Sequence, residues 1–103
     1  MTASAPQYQD LPRTGGRVEL RLLHADTGAT YGARWATPEG LWVGELRADA
    51  DGNVHATFEK DAAPTWLVEW SQQLLRTTAR SRRAGDGPWP RRLTRWRAAP
   101  EER

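Results

Sequence analysis

The chain has 103 residues, enough for one domain with one hydrophobic core, and only 38% of them are apolar. It contains six Trp and no Cys, which excludes disulfides, a thiolate nucleophile and a cysteine-bound zinc. No run approaches the ~20 apolar residues of a membrane-spanning helix. Residues 1–12 lack the basic start and the apolar stretch of a secretory signal. We therefore expect a cytoplasmic protein without a membrane span.

The formal net charge of +2 hides an uneven distribution along the chain. Residues 1–70 carry six basic and ten acidic side chains, whereas residues 71–103 carry nine basic and three acidic ones. Charge segregated in this way generates a field that acts on charged partners. The basic third of the chain is therefore the first place to look for a binding surface.

Four segments with apolar residues at alternate positions predict strands near residues 17–23, 30–36, 41–47 and 54–58. Before them, residues 1–16 are rich in Pro, Gly, Ser, Thr and Gln and lack periodicity, so we expect a flexible leader. The connections between the strands are short turns, which favour antiparallel neighbours. The pattern predicts a four-stranded meander.

A helix is predicted after Lys60, where the hydrophobic period changes from two to three or four. Asp61 could cap it, Pro64 suits its first turn, and Gly85 is a stop signal after Ala84. The apolar stripe that we expect to face the sheet consists of Trp66, Leu67, Trp70 and Leu74. A second stripe, nearly opposite, consists of Val68, Leu75 and Ala79. Residues 17–84 are thus predicted to form one α+β domain, in which a long helix packs on the four-stranded antiparallel meander.

Residues 85–103 begin with a Gly/Pro break and continue as a basic Trp/Arg tail. Its apolar residues recur at helical spacing, and Pro90 lies where a short helix could begin. Left in water, the tail and the second helix stripe would form an uncovered apolar patch on a domain with little stability to spare. We expect the tail to dock across the helix, in its own chain or in a twofold-related copy. The contact would join Trp89, Leu93 and Trp96 of the tail to Val68 and Leu75 of the helix.

No combination of residues indicates catalysis, a metal or a cofactor. His24 and His55 fall on opposite faces of the predicted strands, and no carboxylates join them at metal-ligand spacing. Residues 49–53 resemble half of a calcium loop but lack its remaining ligands, so a tight turn is the better interpretation. The serines lie in no nucleophile motif. We expect a non-catalytic protein with no cofactor, although folding could still bring two distant carboxylates together.

The segment from residue 76 to residue 97 holds eight Arg and one acid, Asp86. Guanidinium groups bind phosphate through paired hydrogen bonds and indoles stack on unpaired bases, so this mixture predicts a surface for nucleic acid or another anionic partner. The alternative is a charged face that is merely solvated. The candidate residues are Arg76, Arg80 and Arg83 on the helix and Arg91, Arg92, Arg95 and Arg97 in the tail.

The outer sheet face would carry a mixture of basic and acidic side chains, which suits a solvated surface better than a platform for a polyanion. Two hypotheses remain: a small protein that binds DNA or RNA through the helix and tail, or an interaction module that binds an acidic protein or forms a homodimer. Four strands followed by a helix resemble the repeat topology of the single-strand-binding PUR and Whirly types. This likeness of topology assigns no residue a role.

Overall fold

The computed structural model describes residues 11–83 and 88–100, without the side chain of Arg83. In these residues the order of elements is β1 (Gly16–Ala25), β2 (Ala29–Thr37), β3 (Gly40–Ala48), β4 (Val54–Phe58), α1 (Thr65–Arg83) and β5 (Arg92–Arg97). The strands form an antiparallel sheet in the order β4-β3-β2-β1-β5. The predicted α+β fold, a four-stranded meander with a helix packed on it, is confirmed, and the tail adds a fifth strand.

One face of the sheet forms the core, as the alternation of apolar residues predicts. Tyr31 and Trp35 of the central strand β2 are fully buried, and Val18 lies opposite Trp35 across the β1–β2 ladder. On the other side of β2, Leu46 lies opposite Tyr31. Because side chains of a strand alternate between the two faces, the intervening charged residues point away from the helix.

The helix starts where the proline signal predicts. The carbonyl of Pro64 accepts hydrogen bonds from the amides of Leu67 and Val68, at 3.0 and 3.1 Å, and so begins the helical ladder. Asp61, the predicted cap, is exposed and precedes the first helical residue by four positions. The predicted helix end at Ala84 and the stop signal at Gly85 lie outside the described residues.

The helix turns a different face to the sheet from the one that its hydrophobicity predicts. Leu67 is buried as expected, but Trp66, Trp70 and Leu74 are only half-buried on the flank. The prediction that the second stripe lies away from the sheet is wrong. The residues that are buried beside Leu67 are Val68, Ser71, Leu75 and Ala79.

Ser71 provides a physical reason for this orientation. The indole nitrogen of Trp35 donates to Ser71 Oγ at 3.0 Å, and that hydroxyl donates to the carbonyl of Val68 at 2.7 Å. A buried indole N–H without a partner is costly, so the helix presents the side that carries an acceptor. The small side chains of Ser71 and Ala79 also leave room for the sheet below them.

The tail is a strand, and the prediction of a short helix from Pro90 is wrong. Residues 92–97 pair antiparallel with β1, with Leu93 opposite Leu20. Just before the strand, Trp89 is only 6% exposed and meets Tyr31 edge-on, with the ring centroids 6.5 Å apart. The hydroxyl of Tyr31 donates to the carbonyl of Pro90 at 2.6 Å. These anchors start the tail alongside β1, whose backbone groups on that edge would otherwise lack partners.

Candidate anion-binding surface

The structure divides the predicted arginines between two places. Arg91, Arg92, Arg95 and Arg97 are exposed on or beside β5. By contrast, Arg76 and Arg80 lie on the helix, and the side chain of Arg83 is outside the described part of the structure.

Arg76 does not join the β5 group around one site. Arg76 donates to Gln73 at 3.0 Å along the helix. Gln72, which shares the side of the helix with Arg76, donates to the carbonyl of Val54 at 3.4 Å. Val54 belongs to β4, at the opposite edge of the sheet from β5. The side of the helix that carries Arg76 is therefore directed toward the far edge.

The hydrogen-bond register decides which way the backbone of β5 points. The amide of Leu22 donates to the carbonyl of Arg91 at 2.9 Å, in the same register that places Leu93 opposite Leu20. In an antiparallel ladder, hydrogen-bonded and non-hydrogen-bonded pairs alternate. The N–H and C=O groups of Leu93 and Arg95 therefore point to β1. Those of the alternate residues, Arg92, Thr94 and Trp96, point to the free edge of the sheet.

The same alternation separates the side chains of β5. Leu93, Arg95 and Arg97 lie opposite Leu20, Val18 and Gly16, on the face that carries the helix. On that face the guanidinium of Arg97 lies 6.0 Å from the ring centroid of Trp70. Arg92, Thr94 and Trp96 lie opposite Arg21, Glu19 and Arg17, on the outer face. The tail thus adds a basic and aromatic margin to an outer face that otherwise carries mixed charges.

Trp96 is held in place although its side chain is 53% exposed. Its indole nitrogen donates to the carbonyl of Thr14 at 2.8 Å. Gly15 lies against the ring, because a Cβ atom on Gly15 would stand 2.7 Å from Cζ2 of Trp96, and the backbone there has a φ of +69°. One side of the indole therefore rests on the chain and the rest faces solvent. A fixed, exposed indole offers a surface on which a planar group can stack.

The other two apolar residues of the tail lie inward. Trp89 belongs to the core, where the guanidinium of Arg82 lies 5.3 Å from its ring centroid. Leu93 is half-buried and packs against the same core. The tail therefore contacts the helix through Arg82, near the C-terminal end of the helix, and through the pair of Arg97 and Trp70, while its ladder is with β1.

The outer face of the sheet forms an open trough of about 820 Å³. Gly32 contributes no side chain there, and the side chain of Leu23 lies above it. Charged residues of both signs surround the trough, as expected from the phasing of the strands. On the same face, Arg17 pairs with Glu19 at 3.1 Å. The charged residues that line the trough are Glu19, Arg21, Arg34, Glu45, Glu59 and Arg92.

Arg21 belongs to this surface, and the sequence patterns do not reveal it. The alternation of β1 places Arg21 on the outer face, but only the pairing of β5 brings Arg92 directly opposite. We define the β5 edge surface as Arg91, Arg92, Arg95, Trp96 and Arg97 together with Arg21. Both Arg21 and Arg92 are exposed and line the trough.

Among the residues considered for metal chemistry, His24 and Asp49 have partners in turns. His24 and Asp26 approach to 3.5 Å in an exposed turn, and the amide of Gly28 lowers the pKa of Asp26 by donating to it. The carboxylate of Asp49 accepts hydrogen bonds from the backbone amides of Asp51 and Asn53, at 2.9 and 3.0 Å. The bond from Asn53 is the main cause of a lowered pKa at Asp49.

Asp49 thus organises the tight turn predicted for residues 49–53, in which Gly52 has a φ of +89°. Among the described residues, no three His, Asp or Glu side chains are grouped so that they could share a metal ion. Within those same ranges, the helix is too short of apolar residues to cross a bilayer.

The arrangement at the β5 edge surface is suited to reversible binding of an anion next to a planar group. Its arginines supply planar forks of hydrogen-bond donors that match the oxygens of a phosphate or carboxylate. Its exposed indole supplies a stacking surface. Comparisons of the chain with protein-family models, with curated proteins and with solved structures found no match.

Proposed function

We propose that this protein is a non-catalytic binding protein that takes single-stranded nucleic acid at the β5 edge surface. The observation that carries the proposal is the fixed and half-exposed indole of Trp96 on a strand rich in Arg. No acidic residue occurs between residues 88 and 100. Arg92 and Arg21 share the outer face of the sheet with Trp96, so a phosphate and a base could be bound on one face, while Arg95 and Arg97 extend from the other side of the same edge strand.

A single strand fits this surface better than a duplex. An indole stacks on a base only when the face of that base is free, which is the case in unpaired segments. Stacking on an aromatic side chain is worth about 1–3 kcal/mol per base, and it tolerates any base because each has a π-face. We expect weak preference among base sequences and a clear preference for single strands.

The arginines predict a characteristic salt dependence. Each phosphate neutralised on a single strand contributes about −0.7 to the slope of log K against log salt concentration. If three or four arginines of the β5 edge surface each meet a phosphate, the slope is about −2 to −3. Removal of one such arginine should make the slope shallower by about 0.7, the contribution of one phosphate. Removal of Trp96 weakens binding and leaves the slope nearly unchanged, because stacking releases no counterions.

Anisotropy of labelled oligothymidylate and oligouridylate, titrated across a salt series, tests the proposal. We expect Trp96→Ala to lower affinity at constant slope, and Arg95→Gln to lower affinity with a shallower slope. Arg47→Gln is the matched control, since Arg47 is an exposed arginine on β3, away from β5. Absence of binding by the wild type at low salt, or equal losses in the control, would refute the proposal.

A second candidate is an interaction module that pairs with an acidic protein or a second copy at the free edge of β5. It is favoured by the backbone groups of Arg92, Thr94 and Trp96, which point outward and could accept another strand. However, Nη1 of Arg95 donates to the carbonyl of Thr94 at 2.9 Å and occupies the central acceptor of this edge. Light scattering after nuclease treatment separates the two, because a nuclease-resistant dimer or protein complex would support the module.

A further inference from the structure

Arg21 and Arg92 face each other across the β1–β5 ladder on the outer face of the sheet. In the register set by the bond from Leu22 to Arg91, this pair is a non-hydrogen-bonded one. The Cα atoms of such pairs lie only about 4.5 Å apart, and their side chains are closer than in the alternate pairs. The side chains of Arg21 and Arg92 therefore extend from neighbouring positions on the same face of the sheet.

Like charges directly opposite each other destabilise a sheet. A neighbouring acid would normally offset the repulsion, but the nearest one on β1, Glu19, pairs with Arg17 at 3.1 Å. On the other side of Arg21 the residue opposite is Gly32, which has no side chain. The next acid in that direction is Glu45 on β3, about 10 Å from β1 at the usual strand spacing. The arginine pair thus lacks a counter-ion of its own among the described residues.

We propose that Arg21 and Arg92 bind one phosphate group between them. Two guanidinium forks can each donate two N–H bonds, and one phosphate offers enough oxygen atoms to accept them. The bound anion would offset the repulsion that the register of β5 imposes. The open trough beside the pair leaves space for the rest of the ligand.

This inference rests on the proposed function. The phosphate that the two arginines bind is then a backbone phosphate of the nucleic acid. Trp96 lies on the same face of β5 as Arg92, four residues further on. At 3.3 Å per residue, this separates the stacked base and the bound phosphate by about 13 Å along the strand. β5 would then be the track of the nucleic acid, with a stacking point at one end and a phosphate site at the other.

The first arm of the test uses inorganic phosphate and needs no nucleic acid. Thermal unfolding is compared in phosphate and in chloride at equal ionic strength and pH, for the wild type, Arg21→Gln, Arg92→Gln and the control Arg47→Gln. We expect phosphate to raise the Tm of the wild type and the control by more than that of the other two variants. Equal shifts in all four proteins would show a general effect of the salt and would overturn the proposal.

The second arm measures oligonucleotide affinity for Arg21→Gln, Arg92→Gln and the double variant. Charge-assisted hydrogen bonds are worth about 1.5–3 kcal/mol, so each single change should weaken binding roughly tenfold or more. Because both arginines hold one phosphate, the double variant should lose far less than the product of the two single losses. A double variant of Arg21 and Arg47 should show the simple product.

The two arms separate failure of this inference from failure of the proposed function. Multiplicative losses in the double variant, together with equal phosphate shifts, would remove the paired site while oligonucleotide binding stands. A selective phosphate shift without any oligonucleotide binding would keep the paired site and assign it to a free phosphate or a phosphate monoester.

Discussion

Tyr31 of β2 contacts the residues that lead into β5, in addition to the ladder between β1 and β5. Its ring is fully buried in β2 and meets Trp89 edge-on. Its hydroxyl donates to the carbonyl of Pro90 at 2.6 Å. Burial disfavours the phenolate and raises the pKa of Tyr31 to about 12. One side chain therefore combines packing with the hydrogen bond that precedes β5.

Replacement of Tyr31 by Phe keeps the ring and removes this bond. We expect a loss of about 1–2 kcal/mol in the free energy of unfolding, because the carbonyl of Pro90 loses its partner in a partly buried place. Urea titration measures the loss, and Thr57→Val, which changes an exposed hydroxyl on β4, is the control.

The same variant predicts a pH dependence. The folded pKa of Tyr31 is about 12, above its ordinary value of 10.0, so its contribution is complete below pH 10 and is lost as the pH rises through 12. Above pH 10 the free energy of unfolding of the wild type should therefore fall more steeply than that of Tyr31→Phe. The difference in stability between the two proteins should become smaller. A gap that widens with pH would contradict the assignment.

At the scale of elements, β5 is a strand because β1 offers it a backbone ladder. The hydrogen-bond register of β5 determines which of its backbone N–H groups belong to the ladder, which side-chain packing alone would not determine. The N–H of Arg95 points to β1, whereas the N–H of Thr94 points to solvent. Proline is tolerated in an edge strand only where the missing N–H faces outward.

Two single proline substitutions test this register. Arg95→Pro removes a bond of the ladder and should cost about 1–3 kcal/mol, whereas Thr94→Pro removes none and should cost clearly less. Because both variants impose the same fixed φ on adjacent residues of one strand, the difference reports the ladder. Arg95→Gln corrects for the lost charge. If the two proline variants are equally unstable in urea titrations, the register is not the one described.

At the scale of the molecule, the last segment completes a core that the meander and helix leave open. Trp89 lies in the same apolar cluster as Leu20 of β1 and Leu75 of the helix. Loss of a buried Trp side chain alone costs about 3–5 kcal/mol, a large part of the ~5–15 kcal/mol that stabilises a domain of this size.

A chain that ends at Arg83 should therefore lack a cooperative unfolding transition at 25 °C. A synthetic peptide of residues 88–100, added in excess, should restore the transition, because it supplies both Trp89 and β5. Circular dichroism across a urea series measures this. The control peptide carries Trp89→Ala. A truncated chain that unfolds at the same urea midpoint as the full chain would show that the segment is only an appendage.

The sequence by itself determined the meander, because alternation with period two and turn residues are local properties. Val18, Tyr31 and Trp35 share the parity that becomes the core face, and β4 has the predicted bounds of Val54–Phe58. The helix could be predicted for the same reason, because the change of the hydrophobic period and Pro64 are also local features of the sequence. The sequence also showed that the final segment is basic and rich in Trp, although it did not separate the arginines of the helix from those of β5.

Only the tertiary structure decided which helix face is buried and what the tail becomes. The helix has apolar residues on both stripes, and the choice depends on a polar contact, from the Trp35 indole to Ser71, that hydropathy does not register. The spacing of Trp89, Leu93 and Trp96 indicates a helix, yet a short edge segment takes its conformation from the ladder beside it. That pairing, between residues more than 70 positions apart, also brings Arg21 against Arg92, because register is a property of two strands and not of either one alone.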